Sequence, residues 1–64
     1  MYQDTDPQVQ MEMAALIFSI QRGDATAIER QEKTLRQTME DRNRTDIDII
    51  HAIETCYKRA SGEG

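Results

Sequence analysis

The residues best equipped for chemistry lie near the C-terminal end of the chain. Asp48, His51 and Glu54 follow one another at intervals of three, which on a helix sets an imidazole between two carboxylates on one side, a pattern able to bind a metal or exchange a proton. A metal site needs more ligands than this. The chain has no second histidine and no Cys/His pattern for structural zinc, so the group reads as a partly exposed histidine at the edge of a core, with Glu54 facing Lys58 one turn on. Cys56 is the other candidate, as a nucleophile, but it stands five residues from His51 on a different side of the same helix and has no base beside it. As the single cysteine it forms no internal disulfide; it packs as a small apolar group or makes a link to another chain. Arg22-Gly23-Asp24 spells an adhesion tripeptide, yet a helix stop, a turn glycine and a helix cap explain the three residues separately. The sequence therefore predicts no enzyme, no metal and no cofactor.

The elements that carry these residues are marked by their punctuation. Asp6-Pro7 is an N-cap followed by proline at the first helical position. Arg22, Gly23 and Asp24 close one helix and cap the next across a connection short enough to favour an antiparallel hairpin. Arg42-Asn43-Arg44-Thr45, with Asp48 three positions beyond Thr45, carries a left-handed candidate and an acidic capping box. No glycine or proline enforces a break there. The chain is thus either three helices, about 7–22, 25–42 and 46–60, or a hairpin whose second arm runs on from Ala25 to about Ala60. Residues 1–6 read as a flexible polar N-terminal tail and 61–64 as a flexible C-terminal one, around a single helical domain at 7–60.

The first helix holds seven of the fifteen large aliphatic, methionine and phenylalanine side chains and spreads them over more than one face. Val9, Met13, Leu16 and Ile20 form one seam at i, i+4, i+7, i+11. Met11, Ala14, Ala15 and Phe18 form a second surface, with Ile17 on the border. Helix 2 offers only Ile28, Leu35 and Met39 in return, among the i, i+4 pairs Glu29–Lys33, Glu32–Arg36 and Glu40–Arg44. Helix 3 offers Ile49, Ile50, Ile53, Cys56, Tyr57 and Ala60, with Ile47 beside them. Two such strips do not cover both surfaces of helix 1. The expectation is an all-α fold, a small helical bundle or helical hairpin, completed by dimerisation, with Met11, Ala15, Phe18 and Met39 as the candidate interface. Met11, Met13 and Met39 fill irregular core gaps or line an adaptable binding groove.

A chain of 64 residues buries only roughly 60% of the surface its unfolded form exposes, which strengthens the case for a second copy or a partner. There is no basic start with a following apolar run, and Val9 to Ile20 is interrupted by Gln10, Glu12 and Ser19. Neither a signal peptide nor a membrane span is expected, and a reducing, cytoplasmic setting fits the cysteine usage. In length, acidity and helix layout the chain is similar to small helical-hairpin co-chaperones of bacterial secretion systems and to short phage and plasmid inhibitors of transcription regulators. That likeness implies an acidic module that binds, and regulates or chaperones, a partner protein. No motif accompanies it, so no residue role is carried over. The alternatives are a structural subunit of a larger assembly, or a nucleic-acid-binding regulator in which the arginines at 30, 36, 42 and 44 collect on one face.

The net charge is −4, and phosphate binding rests on an unopposed basic stripe. Mixed with random duplex DNA or RNA at physiological salt, the protein should leave the nucleic acid free in a mobility-shift assay; tight, salt-sensitive binding would reverse this expectation.

Overall fold

The computed structural model describes residues 1–62 and shows three α-helices and no strand among them. Helix α1 spans Pro7–Arg22, α2 Ala25–Asp41 and α3 Asp46–Ala60. None of these helices is long and apolar enough to cross a membrane. Of the four residues read as a C-terminal tail, Ser61 and Gly62 close α3 in a turn; residues 63 and 64 lie outside the described part.

Each boundary has a local cause. The Asp6 carboxylate accepts the N–H groups of Gln8 and Val9 (2.8 and 3.4 Å), satisfying donors that the helix leaves open, and Pro7 follows it. Gly23, at φ 69°, ends α1 in the left-handed conformation. Asp24 then caps α2 by accepting the Ala27 N–H at 3.2 Å. The second break settles the choice between three helices and a hairpin. Asn43 takes φ 60°, and Thr45 and Asp48 form a reciprocal capping box, with bonds of 3.2 and 3.4 Å.

The core is Val9, Met13 and Leu16 of α1, Leu35 and Met39 of α2, and Ile49, Ala52 and Cys56 of α3. Ile17, Ile20, Ile28 and Ile53 pack around it. The first seam of α1 is therefore the core seam. Met39 is fully buried, so its place in the candidate interface is corrected: it points at the other helices and offers nothing to a second chain. The buried side of α3 is corrected too. Ile50 and Tyr57 are exposed, as is Ile47, while Ala52 and Thr55 turn inward beside Ile49 and Cys56. Small side chains at 52 and 56 let the α3 backbone come close enough to α1 for the Cys56 Sγ to reach the Met13 carbonyl at 3.5 Å. A reading by side-chain bulk favoured the isoleucines and passed over Ala52.

Helix α1 packs extensively on both α2 and α3, whereas α2 and α3 meet sparingly. A cavity on the α1 seam thus loosens both contacts. Leu16→Ala should cost about 2–5 kcal/mol, enough to unfold much of so small a protein, whereas Met11→Ala on the outer side should stay within about 0.5 kcal/mol. Denaturant titration followed by circular dichroism measures both.

Candidate functional site

The outer face of α1 takes its character from which residues are turned away from it. Between Pro7 and Gln21 the helix has one charged residue, Glu12, and that residue is buried. One Glu12 carboxylate oxygen accepts the Gln8 amide at 2.7 Å and the other has no partner. Ser19, also turned inward, donates to the Ala15 carbonyl at 3.0 Å. What faces solvent is neutral. Met11 is 67% and Phe18 59% exposed, with Ala14 exposed and Ala15 and Ile17 partly buried between them. At the end of the strip Arg22 sits over the Phe18 ring, 5.5 Å from its centroid, a cation–π contact that orients the ring. Of the residues singled out for an interface, the structure brings Met11, Ala15 and Phe18 together on one face and separates Met39 from them.

This face continues into an open cleft of about 380 Å³ floored by Met13, Ala14 and Ile17 and flanked by Gln10 and Arg59, with Tyr2, Gln3 and Asp4 at its edge. The N-terminal segment forms part of the wall of this cleft. Residues 1–6, which read from composition as a flexible polar tail, are tied to α3 and to the connection between α2 and α3. The Tyr2 N–H donates to Thr55 Oγ1 of α3 at 2.9 Å. The buried Asp4 carboxylate accepts Arg44 Nε and Nη2 at 2.9 and 2.8 Å, the Asp6 N–H at 2.9 Å and the Tyr2 hydroxyl. Asp6 adds Arg42 Nε at 2.6 Å, and the Gln10 amide donates to the Asp4 carbonyl. Arg44 therefore pairs with Asp4 rather than with Glu40, and Glu32 accepts the Tyr57 hydroxyl at 2.7 Å. The matched spacing of Asp4-x-Asp6 and Arg42-x-Arg44 was the available signal for this latch.

The Asp48, His51 and Glu54 group does not assemble. Asp48 is committed to the α3 cap, His51 is exposed, and no group of three His, Cys, Asp or Glu among the described residues is placed to hold a metal. The Cys56 thiol is buried, and burial pushes its pKa up to about 11, away from the thiolate a nucleophile needs. A second apolar strip, Ile47, Ile50 and Tyr57 on α3, differs from the α1 face in having Asp46, Glu54 and Lys58 interspersed and Glu32 bonded to its tyrosine.

Compared with protein-family models, curated proteins and solved structures, the chain matches none. The geometry alone bears on function.

The latch gives a pH dependence with a definite sign. The Arg44 guanidinium hydrogen-bonded to it holds the Asp4 carboxyl well below the usual range, so its contribution is complete above the unfolded value near ~4 and is lost as pH falls below it. Burial, then the Asp4 hydrogen bond, pushes Tyr2 up to about 12. That contribution is complete below ~10 and fades as pH rises from there through 12; that of Tyr57, which its bond to Glu32 raises, also fades from ~10 upward, and that of Cys56 fades earlier, from about 9 through 11. Asp4→Ala should cost about 1.5–3 kcal/mol, roughly 10 °C in Tm, and should flatten the acid limb in thermal melts from pH 7 to 2. An unchanged acid limb would show that the latch contributes little.

Proposed function

We propose that this protein is a small helical interaction module. It pairs with itself through the outer face of α1 and, in the cytoplasm, binds and regulates or chaperones a partner protein. The observation that carries this reading is the neutral outer face of α1, with Met11 and Phe18 both more than half exposed, whereas the other exposed apolar strip, on α3, has charged residues interspersed. Aromatic and methionine side chains standing in a small apolar patch are the usual anchors of protein contacts. A chain this short gains stability by covering such a patch. Catalysis has no support from a poised base or a reactive thiol. Nucleic-acid binding is disfavoured because Arg42 and Arg44 are already engaged by Asp6 and Asp4, leaving Arg30 and Arg36 among the acids of α2.

Sedimentation equilibrium of the wild type and of Phe18→Asp tests this role. Because Phe18 is exposed in the single chain, Asp at 18 should leave the helical spectrum intact while preventing association, since burying an unpaired carboxylate at the contact is costly. The wild type should be dimeric at tens of micromolar and the variant monomeric. A wild type that stays monomeric at that concentration would remove the reason for assigning this face an interaction role.

A further inference from the structure

We infer that two copies pair with their α1 helices antiparallel, about a two-fold axis passing between Ala14 and Ala15. The inference rests on the self-association proposed above and adds its geometry. In an interface with two-fold symmetry, residue i of one copy meets residue j of the other and the reverse holds as well. The outer face of α1 is laid out for this. Met11 stands three positions before Ala14 and Phe18 three positions after Ala15, so antiparallel pairing puts each methionine beside the other copy's phenylalanine, a favourable sulfur–aromatic contact. The alanines at the centre let the two helices approach closely where they cross.

Charge selects the orientation. Arg22 is the one charged residue exposed on the outer strip, and it lies at one end. Parallel pairing would bring two Arg22 guanidinium groups together. Antiparallel pairing separates them by about 20 Å, from the rise of ~1.5 Å per residue, and so removes the repulsion between them. Each copy carries a net charge of −4, so contact through any of the more acidic surfaces is opposed and the neutral strip is the surface of least repulsion. The area sets the strength. A helix of 16 residues is about 24 Å long and ~10 Å wide. A contact along it falls short of the ~800 Å² per partner of a standard interface, so the pairing belongs with small, transient interfaces rather than obligate ones.

Disulfide trapping tests the orientation with residues that are not anchors. Pro7 and Gln21 are exposed and stand fourteen positions apart, about four turns, so they share one flank of the outer face but lie about 21 Å from each other along the helix. A disulfide forms only where Cα atoms come within ~7 Å. Under mild oxidation at a concentration where the wild type is dimeric, a mixture of Pro7→Cys and Gln21→Cys should give the mixed disulfide as the main product. Each variant alone should give at least several-fold less. Oxidised wild type should give none, because Cys56 is buried. Self-linking of each variant without the mixed product would establish a parallel arrangement and overturn the inference while leaving the interaction role standing. Absence of every link from a dimeric wild type would also overturn it, by placing the contact on another face. A wild type that is monomeric in sedimentation would remove both.

Discussion

The structure depends on one constraint, that α1 must hold α2 and α3 at the same time because those two helices meet only sparingly. Its inward stripe, Val9, Glu12, Met13, Leu16 and Ser19, serves both neighbours. On the α3 side the contact is close because Ala52 and Cys56 are small. On the α2 side Leu35 and Met39 fill the space. A helix used this way spends its wide inner surface on cohesion within the chain, and its outer surface is covered by nothing else in the fold. Had α2 and α3 closed against each other around α1, Met11 and Phe18 would have been core residues.

A bundle with so few large buried side chains needs a second device, and the N-terminal segment supplies it. Asp4 and Asp6 lie on the segment that leads into α1, and Arg42 and Arg44 lie on the connection between α2 and α3, so two ion pairs span sequence separations of 36 and 40 residues. Asn43, in its left-handed conformation, turns the chain between the two arginines. Breaking the Asp4 pair would leave a buried carboxylate without its cation, which costs more than a surface ion pair gains. The latch also fixes Tyr2 against Thr55, which brings the segment to the edge of the cleft that continues the outer face of α1.

Much of the fold was legible in the sequence because its signals are local. Asp6-Pro7, Gly23-Asp24 and Thr45 with Asp48 each act within a few residues of themselves, and each stands at the boundary it marks. The first apolar seam of α1 was legible for the same reason, since its spacing alone places it on one face. Other features depend on packing partners distant in the chain. Nothing local distinguishes Ala52 from Ile50 as the residue that faces α1; the closeness of approach decides it. Met39 reads as available because methionine lines adaptable grooves as well as cores, and the scarcity of other apolar residues on helix 2 is why it is wholly used in the core. The latch was hidden because Arg44 has a nearer candidate in sequence, Glu40, and that pairing lost to a buried carboxylate that accepts two bonds from one guanidinium. On the candidate site, Met11, Ala15 and Phe18 are proposed from how much surface the other helices could cover, while the neutrality of the whole face follows from Glu12 turning inward, which only the folded chain reveals.

The central claim is that the outer face of α1 is open in the single chain and closed by a second one. Phe18 is the only phenylalanine, so biosynthetic incorporation of 4-fluorophenylalanine places a single fluorine on that face. The most direct measurement is the fluorine NMR shift of this label as the protein is diluted through the micromolar range, recorded in H2O and in D2O. The account predicts one resonance that moves with concentration and whose solvent isotope shift shrinks as the protein associates and the ring leaves water. A resonance that stays fixed at every concentration and keeps the full isotope shift of an exposed ring would contradict it.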